Sequence, residues 1–364
     1  MKQFDLQGKG TKLIHQGNIL AVLSDCPLKI IGSAFHNGGG IKESRVILNI
    51  EVPKDYGDIN LHMDPEALIV ASARKLDLKD DFMAMITAAS VENFALVSKL
   101  QDDIGVSVIA TAADKTGHTC DRAESAGEEI NVKVEEGTIN VIVVIDGNPT
   151  DSCLVSSIIT ATEAKTAAML ELDIRSRYSG AAATGTITDA LVVAETGCGN
   201  PILFGGPASK LGQLIGFCTK QAVKEAIMKG HECSPRRSLL DRLAARHLPI
   251  ERLAEELAKV KSFKTDKEKL AGILSEMIEE RPIFASMVLA AVKLDEERQY
   301  GLFAPELGDI EAVGKKFGEM VSKDGKNCKS VTITCSQEEL ARVDLPVFLK
   351  QALIATLANE FSDA

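Results

Sequence analysis

The chain has 364 residues, of which 45% are hydrophobic and 26% charged, as in a globular protein with one large or two medium domains. A net charge of −11, a 4% aromatic content and the lack of tryptophan argue against a nucleic-acid partner. No apolar run reaches the ~18 residues that span a bilayer, and the start of the chain lacks the apolar region of a signal peptide, so we expect a cytoplasmic protein without a membrane partner.

The first part of the chain is rich in predicted strands. TKLIH and ILAVLS flank Gly17 as a hairpin, and LKIIGSAF and RVILNIEV follow as strands on either side of the loop HNGGG. Helices are predicted over 66–75 and 91–99, before the strand VSVIATAA. Alternating helices and strands predict an α/β fold with a mixed sheet flanked by helices.

Beyond this strand, the polar run 114–136 predicts a long loop, followed by the strand GTINVIVVID and a helix that contains TATEAKTAA. ITAAS (86–90) precedes ATAAD (110–114) by the same 24 residues that separate ITATE (159–163) from ATGTI (183–187). This equal spacing suggests an internal duplication of a half-domain.

A domain boundary is predicted after residue 233. The predicted helix 211–229 ends at Gly230, and SPRR begins a stretch rich in charged helical sequence. Residues 1–233 carry 21 basic and 30 acidic side chains, a net charge of −9, whereas 234–364 carry 20 and 22, a net charge of −2. The second domain is expected to be smaller and mostly helical, with an isolated strand at 330–335 and a last helix over 346–359. Its default role is partner binding or dimerisation, so a homo-oligomer is expected.

Local motifs for metal or nucleotide binding are absent from the sequence. The eight cysteines form no CxxC pair and the six histidines no HExxH pair, so no metal site is predicted, and most cysteines are expected to be buried thiols. The chain also lacks GxxxxGK[ST], a strand-linked GxGxxG and GxSxG, which disfavours nucleotide binding by a P-loop and a serine hydrolase of the α/β type.

TATEAKTAA crowds polar residues into a predicted amphipathic helix. At roughly 100° per residue, Thr162 and Thr166 fall within the apolar stripe of Val155, Ile159, Met169 and Leu170, which predicts that both hydroxyls face inward, with Glu163 and Lys165 on either side of the stripe. The alternative is that the threonines bond to carbonyls one turn earlier.

ATGTITD, residues 183–189, leads into the apolar run ALVVA. If this segment is extended, Thr184, Thr186 and Thr188 line one face. Two hydroxyl-rich segments joined by a short connection predict a polar pocket at one end of a helix and a strand.

Together, SAFHNGGG, RVILNIEVPKDY, GTINVIVV, ITATEAKTAAMLELDIRSRYSG, ATGTITDALVV and KLGQLIG make the chain resemble the adenosylcobinamide amidohydrolase family of corrinoid salvage over about residues 28–229. The resemblance implies cleavage of the amide that joins the aminopropanol arm to the corrin ring of adenosylcobinamide, which leaves adenosylcobyric acid. It implies no separate cofactor, because cobalt is part of the corrinoid substrate.

Amide hydrolysis needs a base, donors for the oxyanion and an acid for the leaving amine. We assign Glu163 as the base, expected to be half-buried, Lys165 or Thr162 as the oxyanion or leaving-group contact, and Asp189 as an orienting carboxylate. A threonine nucleophile remains the alternative. The residues expected to bind the substrate are Asn37, Gly38, Gly39, Asn140, Thr166, Thr184 and Thr186.

The chain departs from the family pattern in two segments. Where the family has GTHTKLGE, this chain has Gly206 to Gln213 with Ala208 at the histidine position, and the segment 110–122 is altered, with His118 as a substitute polar group. These changes affect the expected catalysis more than the fold. The alternative function is a non-catalytic corrinoid-binding protein derived from the family.

Overall fold

The structure, a computed structural model, describes residues 1–53, 65–78, 81–112, 120–121, 138–186, 188–230, 237–263, 265–302, 306–321 and 337–361. The strands in these ranges are β1 (Lys2–Asp5), β2 (Thr11–Gln16), β3 (Ile19–Gly32), β4 (Lys42–Glu51), β5 (Met83–Thr87), β6 (Ala95–Gln101), β7 (Ile104–Ala112), β8 (Cys120–Asp121), β9 (Ile139–Asp146), β10 (Asn148–Pro149), β11 (Gly185–Thr186), β12 (Ala190–Glu195) and β13 (Pro201–Ile202). The helices are α1 (Pro65–Arg74), α2 (Asp151–Glu171), α3 (Lys210–Gly230), α4 (Leu239–Ala244), α5 (Ile250–Leu257), α6 (Lys267–Glu280), α7 (Pro282–Gln299), α8 (Leu307–Val321), α9 (Gln337–Arg342) and α10 (Val347–Phe361).

Nine strands form one mixed sheet in the order β1-β2-β3-β12-β9-β7-β6, and β4 joins β3 to β5. β12 runs parallel to β9 and antiparallel to β3, and β5 runs parallel to β4. The long strand β3 changes partners along its length: residues 19–24 pair with β2, and residues 29–32 pair with β12. Its ladder with β4 is interrupted between Leu23 and Leu28, around Pro27, because proline lacks the N–H that a ladder needs.

The sheet curls around an apolar core contributed by β2, β3, β4, β5, β7, β9 and β12. On its outer side, α2 and α3 pack against β6, β7, β9 and β12. α1 packs with β4 and β5 through a separate cluster that includes Ile69 and Phe82. The predicted α/β class, a mixed sheet flanked by helices, is therefore confirmed.

Contacts divide the chain into two compact units, Met1–Arg236 and Arg237–Ala364. In its described residues the second unit consists of α4–α10 and a 3₁₀ turn at Lys261–Phe263, so the expectation of a mostly helical C-terminal part is confirmed. Its core is built around Phe284 and Phe348, both fully buried. Asp295 of α7 accepts hydrogen bonds from the Phe348 and Leu349 N–H groups at the start of α10, at 3.1 and 3.0 Å, and burial raises its pKa.

The hairpin around Gly17 and the helices predicted over 66–75, 211–229 and 346–359 are present, with small differences at their ends. The helix predicted over 91–99 is wrong: a 3₁₀ turn at Val91–Asn93 leads into β6, whose backbone pairs with β7. Pairing with a neighbouring strand overrode the local helical pattern.

The suggested internal duplication is not borne out by the secondary structure. Residues 86–90 end β5 and begin a turn, whereas 159–163 lie in the middle of α2. Likewise, 110–112 end β7, but 183–186 form a loop and the short strand β11. Short alanine and threonine strings recur here in unrelated elements. The expected loop at 114–136, apart from the two residues of β8, the strand at 330–335 and His118 lie outside the described residues.

Across the described ranges, every helix is too short or too polar to cross a lipid bilayer.

Candidate functional site

A cleft of about 480 Å³ lies where the start of β12 meets the end of β3 and the middle of α2. The residues that line it are Ile31, Gly32, Ser33, Gly39, Ile158, Thr162, Lys165, Asp189, Ala190 and Leu191. Lys165, Thr162, Asp189 and Gly39 were all predicted as site residues, and the fold brings them to this one cleft. We call it the Lys165–Asp189 cleft.

An ion pair between Lys165 Nζ and Asp189 Oδ2 lies in this cleft. The two side chains are only 11% and 17% exposed, so their charges interact with less screening by water than a surface pair does. Lys165 is nevertheless at the cleft surface. The pair thus places a fixed, mostly buried ammonium group at the cleft, and a positioned positive charge of this kind stabilises developing negative charge.

The Asp189 carboxylate is held by groups from two other segments. Its Oδ1 accepts hydrogen bonds from the Thr186 hydroxyl and from the Thr186 and Ile139 N–H groups, both N–H contacts at 3.2 Å. Gly185 lies directly against the pair, because a Cβ at this position would be 2.6 Å from Asp189 Oδ2 and 2.7 Å from Lys165 Nζ. These contacts fix the carboxylate, and the carboxylate fixes the lysine.

The threonines of the two predicted segments have different roles in the structure. Thr162 Oγ1 donates to the Ile158 carbonyl one turn earlier, at 2.9 Å, as in the alternative prediction, whereas Thr166 Oγ1 donates to the Thr184 carbonyl at 2.9 Å. Thr188 Oγ1 lies 2.6 Å from the hydroxyl of the buried Thr138. The Thr166 bond joins α2 to the segment before β11, next to the cleft.

The predicted apolar stripe of α2 is wrong. Val155, Ile159 and Leu170 are exposed, and so are Thr162 and Glu163. The face that packs on the sheet and α3 instead combines small residues, among them Ala161 and Ala168, with the larger Leu154 and Met169. Glu163 is therefore not half-buried and does not line the cleft, which removes the physical reason for choosing it as the base.

The glycine loop after β3 borders the cleft through Gly39, whose N–H donates to the Gly32 carbonyl at 2.9 Å. Gly38 lies against the backbone of Ala34. Asn37 has its side chain engaged, since its amide donates to the Phe82 carbonyl at 3.0 Å and its oxygen accepts from Lys42 at 3.0 Å. Asn37 therefore holds the loop in place, and it is not among the residues that line the cleft.

Asn140 does not face the cleft. It follows Ile139 on β9, but its side chain points to the opposite face of the sheet and is 1% exposed inside the curl. Its amide donates to Asn49 Oδ1 and to the Ile86 carbonyl, both at 2.8 Å. Asn140 points away from this cleft because a strand turns successive side chains to opposite faces, and its contact with substrate stays a prediction.

Sequence reasoning missed Ser33, which lines the cleft at the end of β3. Its Oγ accepts a hydrogen bond from the Leu191 N–H at 3.1 Å, and its own N–H donates to the Leu191 carbonyl at 2.9 Å. The signal was present, since Ser33 opens the SAFHNGGG segment. What the sequence did not show is that β3 pairs with β12, which places Ser33 beside Asp189.

A second cleft, of about 330 Å³, lies at the other end of β12. Its lining includes Cys198, Asn200, Phe204, Ser209 and Lys210. The altered family segment, residues 206–213, therefore contributes to this second cleft and not to the Lys165–Asp189 cleft. Near this end of the sheet, burial raises the pKa of Glu195, which lies 3.6 Å from Lys29.

Thiol and metal chemistry find little support among the described residues. Burial raises the pKa of Cys218 to about 11 and also raises that of Cys153, so both are poor nucleophiles. Of the four cysteines whose burial the structure describes, Cys153 and Cys218 are buried and Cys26 and Cys198 are exposed, so the expectation that most cysteines are buried stays a prediction. Within the described ranges, no three histidine, cysteine or acidic side chains are grouped as metal ligands.

Comparisons with known proteins bear on the same part of the chain. A family model described as adenosylcobinamide amidohydrolase matches residues 6–235. An uncharacterized protein of Methanocaldococcus jannaschii is 31% identical over 206 residues, which are 52% of this chain and 79% of that protein. An adenosylcobinamide amidohydrolase of Methanosarcina mazei is 28% identical over 197 residues, 53% of this chain and 83% of that protein.

Among solved structures, the PH0078 protein from Pyrococcus horikoshii OT3 matches with 12% identity and a TM-score of 0.32, over 61% of this chain and 82% of that chain. This similarity is too low to bear on fold or function. The family match, by contrast, covers nearly all of the first compact unit and confirms the resemblance seen in the sequence. Over residues 6–235, the chain belongs to the adenosylcobinamide amidohydrolase family.

Proposed function

We propose that this chain hydrolyses the aminopropanol amide of adenosylcobinamide, or of a related adenosylated corrinoid, and leaves adenosylcobyric acid for corrinoid salvage. Membership of the family and the name of the Methanosarcina mazei relative support this substrate. The observation that carries the proposal is the Lys165–Asp189 ion pair in the cleft.

In the reaction, water adds to the amide carbonyl carbon, the C–N bond breaks, a carboxylate remains on the corrinoid, and aminopropanol leaves with a proton on its nitrogen. Negative charge develops on the carbonyl oxygen before the bond breaks. Lys165 supplies the positive charge for that oxygen. Asp189 is a positioning residue, because it holds the ammonium group without contacting the substrate.

Two hydroxyl groups, those of Ser33 and Thr162, lie in the same cleft. Either of them attacks the carbonyl to form an ester that water then hydrolyses, or both orient the attacking water. Thr184 and Thr186 flank Gly185, which lies against the Lys165–Asp189 pair, and Gly39 also lines the cleft. We assign these groups, with Thr166, to binding of the substrate arm and the peripheral amides of the corrin.

The test is incubation with adenosylcobinamide and mass analysis of the products for aminopropanol and adenosylcobyric acid. Wild type should release both. Lys165→Met should lower the rate by about 10²- to 10³-fold, the loss that follows removal of one oxyanion donor. Lys210→Met is the matched control, since Lys210 lies in the second cleft and pairs with the exposed Asp102.

Two results would contradict the proposal. Loss of activity in Lys210→Met but not in Lys165→Met would move the reaction to the second cleft. Binding of the corrinoid without release of aminopropanol would favour a non-catalytic corrinoid-binding protein, the alternative suggested by Ala208 at the family's histidine position.

A further inference from the structure

One face of α2 exposes large apolar side chains directly beside the Lys165–Asp189 cleft. Val155, Ile159 and Leu170 are 48%, 57% and 51% exposed. At roughly 100° per residue, Val155 and Ile159 lie next to Ile158 and Thr162, which line the cleft, and Leu170 continues the same side of α2 about two turns further on. We call Val155, Ile159, Glu163, Thr166 and Leu170 the α2 face. It continues the cleft wall outward onto the protein surface.

The segment that carries Leu203 and Phe204 of the second cleft packs on the buried side of α2. Gly205 lies against the Cys153 carbonyl and Ser157 of α2, and the Thr160 hydroxyl donates to the Gly205 carbonyl at 2.8 Å. Leu203 and Phe204, which precede Gly205, are 59% and 73% exposed. Neighbouring exposed apolar side chains of this size typically mark a binding surface.

The size of the proposed substrate requires contacts outside the cleft. A cleft of about 480 Å³ accommodates a ligand of ordinary drug size. An adenosylated corrinoid, with its macrocycle, axial nucleoside and amide side chains, is much larger. When its aminopropanol arm lies beside Lys165, the ring therefore has to rest on the surface that adjoins the cleft.

The charge of the α2 face also fits a corrinoid. Cobinamide is cationic, and Glu163 is the one charged side chain of the α2 face. The methyl groups of a corrin match the aliphatic side chains, and its peripheral amides match the hydroxyl of Thr166.

We propose that the α2 face binds the corrin ring of the substrate, with Ile159 as its central apolar contact and Glu163 opposite the positive charge of the macrocycle. The identity of the ligand rests on the proposed function; the location of the surface does not. Glu163 is then a binding residue and takes no part in proton transfer.

The test uses adenosylcobyric acid, which carries the ring but lacks the arm, so that binding is measured without hydrolysis. Calorimetric titration of wild type is compared with Ile159→Gln and with Leu100→Gln, since Leu100 on β6 is also 57% exposed but lies outside the α2 face. Ile159→Gln should weaken binding by roughly tenfold, the effect of one lost apolar contact, and Leu100→Gln should have no effect.

Glu163→Gln should weaken binding at low salt and reduce its salt dependence, because a screened charge interaction is lost. Equal affinity of Ile159→Gln and Leu100→Gln would overturn the inference, as would failure of wild type to bind the ring.

Light scattering on the same samples tests whether a second copy of the chain, and not the corrin ring, covers the α2 face. If Ile159→Gln converts a dimer into a monomer, the α2 face is a contact between copies of the chain and the inference is wrong. The two proposals also fail separately. If wild type binds the ring but does not hydrolyse adenosylcobinamide, and Ile159→Gln loses ring binding, only the proposed activity is contradicted. If wild type hydrolyses adenosylcobinamide and Ile159→Gln binds the ring as wild type does, only the role of the α2 face is contradicted.

Discussion

Lys165 and Asp189 are 24 residues apart in the chain, and their contact depends on Gly185, which lies directly against both side chains. Gly185→Ala should lower activity strongly, because a Cβ placed 2.6 Å from Asp189 Oδ2 forces the charged groups apart. The fold should survive, since only the ends of two side chains have to move. Hydrolysis kinetics of the variant test the expected loss of activity, and thermal unfolding tests whether the fold is preserved. Unchanged kinetics would contradict the role of the ion pair.

The same ion pair offers a way to separate stability from catalysis. Lys165→Met alone should destabilise the protein by a few kcal/mol, because it leaves a mostly buried carboxylate without its cation. The double variant Lys165→Met/Asp189→Leu should recover much of that stability, since neither charge remains, but it should stay inactive. Chemical denaturation and the hydrolysis assay measure the two effects. Recovery of activity in the double variant would show that the pair is only structural.

At the level of elements, the start of α3 requires close backbone contact. A Cβ on Gly212 would lie 1.9 Å from the Gly206 carbonyl oxygen, whereas one on Gly216 would meet only Thr160 Cγ2 at 3.9 Å. Gly212→Ala should therefore destabilise the protein by about 1–3 kcal/mol, as overpacking does. Gly216→Ala, in the same helix, should be neutral or stabilise by up to about 1 kcal/mol. Denaturation of both variants tests this contrast, and equal effects would rule out the backbone clash.

The carboxylate at the end of α2 links this helix to α3. Hydrogen bonds from Lys220 and Lys224, at 2.8 and 2.9 Å, lower the pKa of Glu171 to about 2. A lowered folded-state pKa stabilises the fold above the unfolded value near 4.5, and this stabilisation is lost as the pH falls towards 2. The group is 43% exposed, so its contribution should not exceed about 1 kcal/mol.

Glu171→Gln should accordingly lower the melting temperature slightly at pH 7. The difference from wild type should narrow below pH 4.5 and in high salt. Melting curves of both proteins between pH 7 and pH 3 provide the measurement. A difference that is constant with pH would mean that the glutamate acts through packing and not through its charge.

At the scale of the molecule, the two compact units have separate apolar cores. The core of the second unit runs from Leu243 to Ala358, and the cores of the first unit draw only on residues before 231. Both clefts are lined by residues of the first unit alone. A fragment ending at residue 236 should therefore fold and retain the proposed hydrolysis of adenosylcobinamide. Circular dichroism and the product assay test this, and an unfolded or inactive fragment would assign the second unit a part in stability or catalysis.

Much of the molecule could be predicted from the sequence by itself. The α/β class, the helical C-terminal part, the hairpin at Gly17 and the family all follow from local patterns, because periodicity and turn residues act over a few positions. The same holds for Lys165 and Asp189, whose placement in unusually polar segments marked them as site residues. The sequence therefore marked both segments before the fold brought them to one cleft.

Only the tertiary structure decided which faces meet. α2 turns the face with Ala161, Ala168 and Met169 to the sheet and α3, so Ile159, which periodicity placed on the apolar stripe, is exposed, and so is Glu163, which was expected to be half-buried beside it. Asn140 and Ile139 are neighbours on β9. The Asn140 side chain lies inside the curled sheet, where it donates to Asn49, whereas the Ile139 N–H donates to Asp189. Ser33 joined the cleft through pairing of β3 with β12. Each of these outcomes depends on contacts between segments far apart in the chain, which a local pattern does not encode.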